Sequence, residues 1–178
     1  GLLIASSTGL HRLDPATGSG DRIVALEADN AATRSNDGRA DRHGGFWIGT
    51  MGLGAEPGAG AIYRFYKGEL RKLVGKVSIP NAICFAPDLS RAYFTDTADG
   101  RLMQWGLDAN GWPKGDPTCL WDAQDQSFGI DGAVTDENGD LWIALWGAGK
   151  LQHLSSQGVP LAQYNVPASQ PTCPAWGT

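Results

Sequence analysis

A chain of 178 residues that is 42% apolar and carries 25 glycines can bury one core, and it is too apolar for a disordered polymer. Its net charge is −5, and its 14 basic residues are scattered in runs no longer than two, which excludes the basic footprint that nucleic-acid binding requires. No apolar stretch approaches the roughly 20 residues of a membrane span, and the residues present include no charged-then-apolar signal segment.

The chain opens in strand material, Gly1-Leu2-Leu3-Ile4-Ala5. Strand-like runs that begin with glycine recur along it: Gly9 to Leu13, Gly60 to Phe65, Gly100 to Trp105 and Gly149 to Leu154. Polar turns follow them, among them Asp14-Pro15-Ala16-Thr17-Gly18, Asp108-Ala109-Asn110-Gly111 and Ser155-Ser156-Gln157-Gly158. No window of helical length shows 3.6-residue periodicity, so the chain reads as all-β.

Between these runs lie three related segments. They start at Asn36-Asp37-Gly38, Asn81-Ala82-Ile83 and Asp131-Gly132-Ala133, and each leads through a turn into a hydrophobic strand. Aligning Trp47, Phe94 and Trp142 gives periods of 47 and then 48 residues, in the range of propeller blades. The predicted organisation is a single β-propeller domain over 1–178, truncated at both ends. It consists of a half blade at 1–25, repeats at about 30–75, 76–125 and 126–167, and a stub at 168–178, about four blades' worth of sequence.

In a propeller the innermost strands face a central channel, so Asn36, Asn81 and Asp131 are expected to converge there from successive blades. Converging oxygen atoms suit a hard cation, although two amides and one carboxylate make a sparse set. Asn-Asp-Gly and Asp-Gly are also ordinary turn signals. The equivalence of the three positions favours a site, because Asp41 and Asp136 already fill the turn role five residues on.

Cys84, Cys119 and Cys173 are odd in number and far apart, so neither a disulfide framework nor a thiolate zinc site is indicated, and a reducing, cytoplasmic location is expected. His11, His43 and His153 lack metal-ligand spacing and read as surface or core positions. A serine-hydrolase reading fails for want of a G-x-S-x-G elbow.

Arg34-Ser35-Asn36-Asp37-Gly38, Gly45-Phe46-Trp47-Ile48-Gly49-Thr50-Met51, Ile79-Pro80-Asn81-Ala82-Ile83, Ile130-Asp131-Gly132-Ala133 and Gly139-Asp140-Leu141-Trp142-Ile143-Ala144 occur in order. Together they resemble the SMP-30/gluconolactonase/LRE-like family, close to bacterial xylono- and gluconolactonases. The resemblance implies a six-bladed propeller that hydrolyses sugar lactones with one divalent metal (Ca, Zn, Mn, Mg or Fe(II)). It implies Asn81 and Asp131 as metal ligands and Arg34, Asn36 and Glu56 as substrate contacts; Asp131, expected near the attacking water, is also the candidate catalytic base. A glutamate ligand that the family carries ahead of the Leu2-Leu3-Ile4-Ala5 segment has no counterpart in this sequence. The expected partner is a small sugar lactone, with self-association possible through open blade edges. The competing expectations are a non-catalytic propeller that serves as an interaction module, or an inactive fragment of the lactonase.

Overall fold

The computed structural model describes residues 1–177, so the last residue of the predicted stub lies outside the described residues. Every element in it is a strand. The first sheet holds β1 (Leu2–Ala5), β2 (Gly9–Leu13) and β3 (Gly20–Ala25). The second holds β4 (Thr33–Ala40), β5 (Phe46–Gly52), β6 (Gly60–Tyr66) and β7 (Glu69–Val77). The third holds β8 (Pro80–Phe85), β9 (Arg91–Asp96), β10 (Arg101–Gly106) and β11 (Thr118–Asp122). The fourth holds β12 (Gly129–Thr135), β13 (Leu141–Trp146), β14 (Lys150–Leu154) and β15 (Pro160–Asn165). Each sheet is an antiparallel meander in which sequential strands pair, and together they form the sheets of a partial six-bladed β-propeller, about four blades, not closed.

The sheets stack face to face, and one apolar cluster fills each seam. Leu10 and Leu26 pack with Ile48 and Tyr63 between the first and second sheets. Trp47 and Ile62 pack with Ile83, Phe94 and Trp105 between the second and third. Cys84, Tyr93 and Leu102 pack with Ile130, Ile143 and Leu154 between the third and fourth. Alternation along a strand makes this possible, because neighbours such as Tyr93 and Phe94 serve opposite seams. Burying each Leu or Ile contributes about 1.5–3 kcal/mol. Glu27 ties the first two blades together by accepting hydrogen bonds from the hydroxyls of Thr33 (2.6 Å), Thr50 (3.1 Å) and Tyr63 (2.6 Å).

The strand register corrects one sequence alignment. Arg39 pairs with Trp47, Cys84 with Tyr93 and Val134 with Trp142, so Tyr93, and not Phe94, is the counterpart of the two tryptophans. The middle turn is one residue longer. It closes from Ala86 N to Arg91 O, whereas the others close from Asp41 N to Gly45 O and from Asp136 N to Asp140 O. Leu89 absorbs the extra residue at φ 65°.

A buried polar clasp follows the same repeat. The Asp41 carboxylate accepts bonds from Trp47 Nε1 (3.1 Å), Gly45 N (2.8 Å) and Arg64 Nε (2.7 Å), the last from the cross-strand neighbour of Trp47. Both ion-pair side chains are fully buried. Burial alone would raise the Asp41 pKa, yet the bonds from Arg64 and Gly45 prevail and hold it below the usual carboxylate range. In the fourth blade Asp136 accepts from Trp142 Nε1 (3.2 Å), and the residue across from Trp142 is His153. In the third blade Ala86 stands where the aspartate would be, and the buried Tyr93 hydroxyl has no hydrogen-bond partner among the described residues.

Candidate functional site

Strands β4, β8 and β12 each carry a β-bulge beside the polar residue, one residue later in β8 than in the other two. The ladder of β4 shifts between Ser35 and Gly38, that of β8 between Asn81 and Cys84, and that of β12 between Ile130 and Ala133. A bulge adds a residue that the partner strand does not match and re-aims the side chains around it. Here the bulges coincide with Asn36, Asn81 and Asp131, and they turn these polar side chains toward the channel.

The result is a cavity of about 450 Å³ lined by Arg34, Asn36, Asp37, Asn81, Thr97 and Asp131. Met51, Ile79, Gly132, Trp146, Thr172 and Cys173 complete its walls. The volume suits a small organic molecule. Four of the five residues singled out in the sequence are therefore brought together. Glu56 is not among the lining residues. Its carboxylate folds back onto its own turn and accepts from Gly54 N at 3.1 Å.

A hydrogen-bond chain sets the orientation of Asn81. Thr97 donates its hydroxyl proton to Ile130 O (2.7 Å), so its oxygen is left to accept from Asn81 Nδ2 (2.9 Å). Asn81 Oδ1 is thereby turned the other way, where it accepts from Asn36 Nδ2 (3.2 Å) and keeps a second lone pair. Asn36 Nδ2 also reaches Pro80 O at 3.0 Å. Arg34 Nη1 donates to Asn36 Oδ1 at 3.1 Å, which places its guanidinium at the rim.

Asp131 is partly buried. Burial pushes its pKa up to about 6; the Gly132 amide works against this, and the nearby Asp37 adds to it. Burial likewise raises the Asp37 pKa, against the opposing bond from the Ile83 amide and the charge of Arg39. The Asp131 carboxylate beside the Asn81 amide oxygen is a pair of oxygen donors of the kind a hard divalent ion takes.

The Asp131 shift has a consequence that can be measured in the metal-free chain. Its carboxyl binds a proton more tightly folded than unfolded, so its contribution to stability is full below about pH 4 and is lost as pH rises through about 6. A carbon-detected NMR titration, assigned by the Asp131→Asn variant, is expected to place its midpoint near 6. A midpoint at or below 4 contradicts the assignment.

A second group lies away from this cavity. Asp136, Asp140 and His153 place one ligand atom each within 4.8 Å of one another, close enough to share a divalent ion. The sequence reading of His153 as filler missed this cluster. His153 Nε2 lies 3.3 Å from Asp140 Oδ2, and its ring stacks on Trp142 at 4.2 Å. Asp136 Oδ1 also holds the amides of Asn138 and Asp140 (2.9 and 3.0 Å), so the cluster additionally serves as the fourth blade's version of the Asp41–Arg64 clasp.

Comparison with known proteins agrees with this architecture. The family model for the SMP-30/Gluconolactonase/LRE-like region matches residues 1–178. The chain is 32% identical over 191 aligned residues to L-arabinolactonase of Azospirillum brasilense, covering 98% of this chain and 59% of that protein. It is 30% identical over 178 residues to 6-deoxy-6-sulfogluconolactonase of Pseudomonas putida, covering 99% and 61%. The crystal structure of a calcium-binding protein, regucalcin, from Agrobacterium tumefaciens superposes with a TM-score of 0.94 at 46% identity, covering 97% of this chain and 59% of that one. The chain thus spans about three fifths of the length of the relatives it matches.

Proposed function

Because the chain belongs to the SMP-30/gluconolactonase/LRE-like family, we propose that it forms the channel of a divalent-metal-dependent hydrolase that opens a sugar lactone to its aldonic acid. The observation that carries this reading is the convergence of Asn81 and Asp131, through matched bulges, on one cavity that Arg34 and Asn36 also line. The names of the relatives, an arabinolactonase and a sulfogluconolactonase, support an aldonolactone as the substrate class.

Asn81 Oδ1 and the Asp131 carboxylate are the donors that would hold the ion; when bound, it would polarise the lactone carbonyl and stabilise the developing oxyanion. Oxygen ligation of this kind accepts Ca, Mg, Mn, Fe(II) or Zn. Arg34 donates to the ring hydroxyls and Asn36, whose amide protons are held by Pro80 O and Asn81 Oδ1, accepts from them through Oδ1, and together they hold the carbonyl carbon against the attacking water. Asp131 would take that water's proton and return it to the ring oxygen as the acyl C–O bond breaks. Glu56 would contact substrate only after leaving its own turn.

Among the described residues, no helix is long and apolar enough to cross a membrane. Cys84, Cys119 and Cys173 are free thiols, which supports a reducing, cytoplasmic setting. Strand β1 pairs on one side only and exposes Leu2, Leu3 and Ile4, an edge suited to a further blade or a second copy.

Acid release from xylono- and gluconolactone above the spontaneous rate tests the proposal. It is measured on the chain as it stands and on the chain joined to the flanking blades that a six-bladed relative carries. Activity removed by EDTA and restored by a divalent ion is expected. Full activity in the chelated protein would overturn the metal-dependent reading.

A further inference from the structure

The geometry points to Asp37 as a positioning residue that fixes the β8 bulge and thereby aims Asn81 into the channel, an inference that rests on the proposed metal-holding role of Asn81. The bulge between Asn81 and Cys84 puts Ala82 at φ 55°, a left-handed conformation unfavourable for a residue with a Cβ, at a site that is fully buried. The same bulge removes the Ile83 amide from the ladder with β9, and a buried amide without a partner is not tolerated. Asp37 Oδ2 accepts that amide at 2.8 Å.

Strand β4 grips this peptide at both ends. Arg39 Nε donates to Ile83 O at 2.8 Å, and its Nη2 continues to Ala133 O on β12 at 3.1 Å. On the other side of Asn81, Asn36 holds Pro80 O. The backbone on either side of Asn81 is therefore fastened to the neighbouring blade, and the strained Ala82 conformation persists because the surroundings over-determine it. Without the Asp37 acceptor, the bulge would relax and Asn81 Oδ1 would lose its fixed aim. Asp37 also lines the cavity, so the test must separate positioning from direct ligation.

Mn(II) binding, read by the loss of the free-ion electron paramagnetic resonance signal, makes that separation. Asp37→Ala is expected to weaken Mn(II) binding by about tenfold or more, as removal of an outer-shell partner does. Asp37→Asn keeps an acceptor for the Ile83 amide and is expected to stay within about threefold of the parent. Adding Ala82→Gly to Asp37→Ala removes the left-handed penalty and is expected to restore part of the affinity. Hydrogen exchange at the Ile83 amide in the metal-free protein is read in parallel and is expected to accelerate about tenfold or more in Asp37→Ala alone. A parent that binds no Mn(II) would defeat the metal reading, while the exchange data would still decide whether Asp37 holds the bulge. Unchanged exchange in Asp37→Ala, or equal loss of binding in the Asn and Ala variants, would overturn the inference.

Discussion

Asp131→Asn is expected to lower lactone turnover by about 100- to 10,000-fold, the range associated with loss of a positioned acid–base group, and to weaken divalent-ion binding in the same protein. The substitution is nearly isosteric and keeps the bulged backbone of β12, where the Gly132 amide donates to Thr172 O at 2.6 Å. It removes the anionic charge and the proton acceptor. Stability should move the other way. The Asp131 carboxyl is raised to about 6 chiefly by burial, so at neutral pH the fold carries a charge that it would hold more easily as the acid. The metal-free Asn variant should therefore melt at or above the parent temperature while turnover collapses. A carboxylate retained at a cost in stability is the pattern expected where function opposes folding. Turnover within tenfold of the parent would remove Asp131 from the site.

The blade pattern is legible in the sequence because its signals are local. Glycine-led strands at Gly9, Gly60, Gly100 and Gly149 mark β2, β6, β10 and β14 directly or within a residue. The positions of Asn36, Asn81 and Asp131 are legible because each lies a constant distance before the residue that opens the turn, Asp41, Ala86 or Asp136. The alignment failed downstream of that turn in the third blade, where Pro87-Asp88-Leu89-Ser90 carries one residue more. The shift moves the counterpart of Trp47 from Phe94 to Tyr93 and so exchanges the two seams that these side chains fill.

The features that stayed hidden depend on contacts distant in sequence. Asp37 sits inside an Asn-Asp-Gly run that reads as a turn, and its partner is the amide of Ile83, 46 residues away. His153 shows no ligand spacing to Asp136 or Asp140 along the chain. Only the register of β14 against β13 brings it beside them. One signal could have found it: positions 64 and 153 lie opposite Trp47 and Trp142, so the cation at Arg64 marks where a partner for Asp136 should stand. Glu27 was passed over for the same reason, since its three hydroxyl partners come from β4, β5 and β6.

Arg64→Ala is expected to cost about 3–5 kcal/mol of folding stability, the loss seen when one member of a buried ion pair is removed. Three interactions disappear together. Asp41 loses its 2.7 Å ion pair, the Asn110 carbonyl loses a 2.9 Å bond from Nη2, and the guanidinium vacates its place between the rings of Tyr66 and Trp112, each 4.5 Å away. The Asp41 carboxylate would remain buried, with only Trp47 and Gly45 to satisfy it. For a domain of this size the loss corresponds to a fall in melting temperature of roughly 10 °C or more. Replacing Asp41 as well should cost less than the sum of the single changes, because the stranded charge is then gone. His153→Ala, at the corresponding place in the fourth blade, should cost less, since its side chain is 18% exposed and the carboxylate 3.3 Å away is 23% exposed. Urea unfolding of the four variants provides the measurement. An Arg64→Ala loss below about 1 kcal/mol, or one no larger than that of His153→Ala, would mean that the clasp of the second blade is a packing feature and that its ion pair contributes little.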